Sequence, residues 1–163
     1  MEKQIMPIKY KEIQEFLTAN VMANIAFARA NIKINIYDQA VLEGIVASFP
    51  QIEEIIENGK VSGVTATDVQ KILNLKHAWE FILDKDVIAS RSDYYMLSYI
   101  AKLVNEGFFS EGGRIRGVPV TIGGSSYVPA LPNEVDVKDR IQKITEENDD
   151  VINIAIKLCL YCM

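Results

Sequence analysis

Ser48-Phe49-Pro50-Gln51-Ile52-Glu53-Glu54-Ile55-Ile56-Glu57-Asn58-Gly59 reads as one complete helix with both its ends. Ser48 can cap it, and Gln51 stands three residues on, where it completes a capping box. Pro50 falls in the first turn, where a missing N–H leaves no carbonyl unpaired. Ile52, Ile55 and Ile56 then recur at helical spacing, and Asn58-Gly59 supplies the stop.

Working outward, the same grammar repeats. Thr67-Asp68 opens a second helix, with an apolar stripe of Val69, Ile72, Leu73, Trp79 and Leu83. Ser90-Arg91-Ser92-Asp93 has capping-box spacing and starts a third through Leu97, Ile100, Leu103 and Val104, closed by Gly107. Two more are expected from about Asp136 and about Asn148. The last runs to Met163 without a polar closing residue, so its apolar end asks for a cover. Upstream, Ile13, Phe16, Leu17, Val21 and Ile25 share one helical face that should be buried. Ile32-Lys33-Ile34-Asn35-Ile36 alternates as a short strand would, although a continued helix accommodates it too.

The texture changes between Arg114 and Val128. Val118, Val120 and Ile122 alternate, Gly123-Gly124 can form a tight turn, and Ser125-Ser126-Tyr127 leads back. Pro129 and Pro132 would end the ladder, because proline cannot donate to it. The expected fold is therefore mainly α, a helical bundle with one β-hairpin, in a single domain spanning residues 1–163.

With 49% apolar and 24% charged residues, the chain has globular proportions. No apolar run is long enough to span a bilayer, and Met1-Glu2-Lys3-Gln4 has neither the basic nor the apolar part of a signal peptide. A cytoplasmic protein without a membrane partner is expected. A net charge of −5 and the lack of a basic recognition helix argue against nucleic acid as a partner, and so against a helical DNA-binding domain.

Candidate chemistry is sparse. His77 is the one histidine, with no cysteine or carboxylate at ligand spacing and no serine in a nucleophile elbow, so it reads as a surface or boundary residue. Cys159-Leu160-Tyr161-Cys162 has CxxC spacing, but it lies late in a helix, whereas redox pairs open one; two buried thiols on one helical face are expected, without metal. Gly112-Gly113 and Gly123-Gly124 lack the Gly-Lys-Ser/Thr of a phosphate loop. The run Glu146-Glu147-Asn148-Asp149-Asp150 suits the positive end of a helix dipole better than it suits a metal.

The ordered segments resemble the N-terminal half of a Fic-family protein. Val41-Leu42-Glu43-Gly44 is similar to the family's Ile-Glu-Gly signature, and Ser48 to Gly59 to the helix that follows it. Asn74 and Ala78 have the family's spacing on the next helix. Gly113-Arg114-Ile115-Arg116 resembles its Gly-x-Tyr-Arg. Val118, Val120, Ile122, Gly124, Tyr127, Pro129 and Pro132 resemble its hairpin. The resemblance runs from about residue 20 to the end.

It implies an enzyme that moves AMP from ATP onto a hydroxyl of a target protein, with ATP and magnesium as cofactors of a complete family member. That chemistry resides in a His-x-Phe-x-Asp/Glu-Gly-Asn loop, which this sequence lacks: it contains no Gly-Asn pair. The expectation is a Fic-like domain without its C-terminal catalytic part, a natural truncation or a fragment, with no catalytic residue and no cofactor or metal ligand of its own. The alternative is an interaction or regulatory module that keeps the fold without the enzyme.

Two parts are carried over by resemblance. Glu43 and Gly44 match the inhibitory motif whose glutamate pairs with an arginine of the catalytic loop, although Gln39 stands where that motif has Ser or Thr; the plain alternative is a helix-end glutamate. Val118, Val120, Ile122, Gly123, Gly124 and Tyr127 match the flap that docks a target protein as an added strand; a merely structural hairpin is the alternative. A second copy of the chain, meeting the apolar C-terminal helix, is the other expected partner.

Overall fold

The computed structural model describes residues 20–121, 123–124, 126–147 and 151–162. Its order is α1 (Val21–Ala30), α2 (Ile32–Leu42), α3 (Phe49–Asn58), α4 (Ala66–Ile82), α5 (Lys85–Ile88), α6 (Tyr94–Val104), α7 (Glu134–Glu146) and α8 (Val151–Cys162). Helix α4 is the hub, packed against α2, α3, α5 and α6, while α7 bridges α6 to α8.

Local chemistry sets the helix starts. The Ser48 backbone N–H and hydroxyl both donate to Gln51 Oε1, at 2.9 Å each, so the capping pair opens α3 as expected. Thr65 caps α4 by accepting from the Asp68 N–H at 3.1 Å, and Asn133 caps α7 by accepting from the Val135 and Asp136 N–H groups. Asp93, not Ser90, caps α6, taking the Met96 N–H at 2.9 Å. Both positions suit a cap, but the Ser90 hydroxyl is spent on the Val87 carbonyl at the end of α5.

The ambiguous run Ile32 to Ile36 is helix. Within it, Ile36 is fully buried, and with Ala40, Ile45, Ile52, Ile55, Ile72 and Leu75 it forms the core shared by α2, α3 and α4. Each fully buried isoleucine contributes about 1.5–3 kcal/mol of transfer free energy. That gain outweighs any local preference for a strand. Tyr37 and Phe49 meet edge to face with centroids 5.6 Å apart, and Lys33 bonds Glu57 at 2.6 Å and Glu53 at 3.2 Å, closing α2 onto α3.

The expected hairpin is absent. Among the described residues there is no strand, so the bundle is all-helical and the mainly α expectation stands without its β element. Val118, Val120 and Tyr127 are exposed, with Val118 67% accessible, so their alternation buries nothing. Pro119 also removes an N–H from the would-be first strand. Ile122 lies outside the described residues. The segment is closed instead by Arg116, whose Nη2 donates to the Ala130 carbonyl at 2.6 Å and the Pro129 carbonyl at 3.5 Å.

Two further expectations are corrected. The face predicted from Ile13 to Ile25 is not a buried one where it is described: Val21 is exposed and Ile25 half-buried, while Ile13, Phe16 and Leu17 lie outside the described residues. Cys159 and Cys162 are exposed rather than buried, because α8 packs mainly on α7 and has no buried residue. No helix among the described residues is long and apolar enough to cross a membrane.

Candidate functional site

Glu43 follows the last turn of α2 as its C-cap, held by the backbone geometry there. The Gly44 N–H donates to the Val41 carbonyl at 3.1 Å and the Ile45 N–H reaches back to the Ala40 carbonyl at 2.9 Å. That pair of bonds is a Schellman closure. It needs a left-handed residue, and Gly44 supplies it with φ of 71°. Ile45 then tucks into the core. The Glu43 carboxylate is left exposed, without an ion pair among the described residues, at the rim of a hollow of about 400 Å³ lined by Ile45, Leu75, Val104 and Phe108. Gln39 has other work: its Oε1 accepts from the Trp79 indole N–H at 2.9 Å, which ties α2 to α4.

Asn74 is the one buried polar side chain among the described residues, fully inaccessible on α4. Its Nδ2 donates to the Val104 carbonyl at 3.1 Å and the Glu106 carbonyl at 2.8 Å, and its Oδ1 accepts from Gln70 Nε2 at 2.8 Å. These carbonyls lie at the last residue of α6 and two residues past it, so the side chain closes that helix from outside. Its partner in the resemblance, Ala78, is buried one turn on and takes no part in this network.

The glycine-arginine motif begins against α6. Gly113 has φ of 84°, and a Cβ there would lie 2.1 Å from the Ser98 carbonyl oxygen, so only glycine fits. The Ser98 hydroxyl donates to the Gly113 carbonyl at 2.5 Å. From this anchor the chain runs through Arg116 and returns at Pro129, bordering an open groove of about 760 Å³ between α6, α7 and α8. Tyr127, Pro129 and Pro132 line it from the loop, and Tyr161 from α8.

Of the expected docking residues, the groove takes in Tyr127; Val118, Val120, Gly123 and Gly124 are exposed outside its wall. Glu43 borders the other hollow, and Asn105, the residue after α6, borders both. Sequence reasoning missed Ser98, Asn105 and Tyr161 as groove residues. Ser98 and Tyr161 sit in apolar helical runs, which carry no sign of which side will stay open.

Several other charges are paired. Arg91, in the link before α6, pairs with Glu146 at the end of α7, and with Gln142 it holds the Glu146 carboxyl below its ordinary value. Glu147 pairs with Lys157 at 2.5 Å, so the acidic run is used in part by cations. His77 is exposed. Partial desolvation, with Cys159 beside it, pushes the Cys162 thiol up. Among the described residues no three His, Cys, Asp or Glu side chains gather together.

Among the described residues the arrangement is helical, with an open groove and, apart from it, an apolar hollow beside a fixed carboxylate. Comparison with protein families, curated proteins and solved structures finds no match to this chain.

Proposed function

We propose that this chain is the target-facing, non-catalytic part of a Fic-type protein adenylyltransferase and transfers no AMP by itself. The observation that carries the reading is the convergence of the resembling motif on one groove: Gly113, Arg116, Tyr127, Pro129 and Pro132 all border it. Glu43, set at a rigid helix end beside a separate hollow, supports a regulatory role for that carboxylate. A fixed carboxylate can hold an arginine that would otherwise grip phosphates.

The test is a chimera. The family's catalytic loop and its following helix are joined after Met163, and the product is incubated with radiolabelled ATP, magnesium and a cell lysate. The folded chimera should label a target and the present chain should not; Glu43→Gly in the chimera should raise the labelling. Labelling by the chain alone, or a folded chimera that labels nothing, refutes the proposal.

A second reading, a non-enzymatic interaction module that meets a second copy, is favoured by the apolar exterior of α8, where Leu160 is 65% accessible beside exposed Ile156 and Tyr161. Sedimentation equilibrium separates the two: self-association weakened by Leu160→Glu supports the module.

A further inference from the structure

The guanidinium of Arg116 is left half-finished by its own chain. Nη2 is taken by the Ala130 and Pro129 carbonyls, whereas Nη1 is buried and has no hydrogen-bond partner. No carboxylate pairs with it among the described residues. A partly buried cation that meets only neutral carbonyls keeps most of its desolvation cost and lacks the counter-charge that would offset it. Arg114, its neighbour in the motif, also borders the groove but differs: it is exposed and already paired with Glu111 at 2.7 Å.

Arg116 borders the groove, and the rest of that wall is mostly apolar or aromatic: Tyr127, Pro129, Pro132, Ile141 and Tyr161. We propose that Arg116 is a specificity residue that receives the carboxylate of an aspartate or glutamate side chain, flanked by apolar residues, from a protein segment docked in this groove. The charge arithmetic selects a carboxylate over a phosphate. One guanidinium without a counter-charge, and with one unpartnered nitrogen, matches a single negative charge, while a phosphate dianion calls for more than one cation. Apolar walls select the flanking residues by ordinary burial. The inference rests on the reading above only in taking the docked segment as part of a target protein; it needs neither ATP nor a catalytic loop.

The experiment selects a random heptapeptide display library on the full chain. The winning peptide is then measured by fluorescence anisotropy beside its counterparts with the acidic residue changed to glutamine and to phosphoserine. Selected peptides should be enriched in Asp or Glu between apolar residues, and the glutamine counterpart should bind at least about tenfold more weakly, the loss expected of one charge-assisted contact. Arg116→Gln retains an amide donor but no charge, so it should bind the acidic and glutamine peptides alike while its circular dichroism matches the parent. Arg116→Lys, which restores charge, should recover part of the discrimination even if Arg116→Gln loosens the loop. Selection without acidic enrichment overturns the proposal, as does equal binding of the acidic and glutamine peptides by the parent. Tighter binding of the phosphoserine peptide overturns the carboxylate assignment. Because no nucleotide is present, failure here is distinct from failure of the chimera to transfer AMP.

Discussion

Replacing Asn74 with aspartate changes no shape and reverses one chemistry. In the parent, Nδ2 sits 3.1 Å from the Val104 oxygen and 2.8 Å from the Glu106 oxygen, in a site with no solvent access. Asparagine donates two protons there; an ionised aspartate donates none and faces two carbonyls with an acceptor. Two lost bonds leave two acceptors unsatisfied, at about 1–3 kcal/mol each, so the neutral Asn74→Leu variant should lose roughly 2–6 kcal/mol. Near neutral pH Asn74→Asp should lose more, because a buried negative charge adds its own desolvation cost.

The two variants separate by pH. Once protonated, the introduced carboxyl regains one donor, so the acid is favoured in the folded state and its pKa lies above the unfolded value of about 3.9. The added penalty is absent below that value and grows as the pH rises, levelling off above the folded pKa. Urea unfolding followed by far-UV circular dichroism should therefore show the gap between Asn74→Asp and Asn74→Leu widening from acid to neutral pH. A gap that stays constant with pH, or a loss below about 1 kcal/mol for both, would refute the reasoning that this side chain closes α6.

Gly113→Ala should detach the start of the loop from α6, since the new Cβ would stand 2.1 Å from the Ser98 oxygen and the backbone would be strained at φ of 84°; a loss of about 1–3 kcal/mol in urea melts is expected, against a near-neutral Gly117→Ala control, where a Cβ meets open space. The Glu57, Glu134 and Glu146 carboxyls are held low chiefly by hydrogen bonds from Lys33, Lys138 and Arg91, so their support is present above the ordinary value of about 4.3 and lost as pH falls through their lower folded values; Lys33→Met and Lys138→Met should flatten the acid limb of stability against pH. Both thiols should react with a chromogenic disulfide in the folded protein, Cys159 ahead of Cys162, whose pKa is raised; protection of both until unfolding would contradict the exposed face of α8.

Signals that act within one turn of chain were legible. Ser48 with Gln51, and Gly59 with its left-handed φ of 74°, bound α3 as their chemistry requires. Where two local solutions competed, sequence could not choose: Ser90 and Asp93 both suit a cap, and the run from Ile32 to Ile36 suits strand or helix until the core claims Ile36. The hairpin failed for a different reason. Alternation describes what a strand would bury, but a ladder also needs donors and a face to cover, and exposed Val118 and Val120 around Pro119 have neither. The site was legible in part. The motif residues Gly113 and Arg116 could be quoted from sequence, whereas the orphaned Nη1 and the role of Asn74 exist only once distant carbonyls are brought to them.

The two halves of the molecule are held by different forces. Helices α2, α3 and α4 share the isoleucine core, while α6 and α8 contribute no fully buried residue. The second half buries Ile141 and Ile144 of α7 and is further fastened by polar ties: Asn74 to the end of α6, Ser98 to Gly113, Arg116 to Ala130, and ion pairs from Arg91 and Lys157 onto the end of α7. Ties of that kind are typically worth about 0.5–1.5 kcal/mol net, against about 1.5–3 kcal/mol for the burial of a core side chain. Local opening should therefore begin around the loop and α8, where few apolar contacts hold the chain. The groove lies in that weakly cored half, and a segment docked there would supply both the apolar cover and the counter-charge that α8 and Arg116 lack. Ordering of this half and occupation of the groove would then be one coupled event, with hydrogen exchange of α6 and α8 slowing on binding while α3 and α4 stay unchanged.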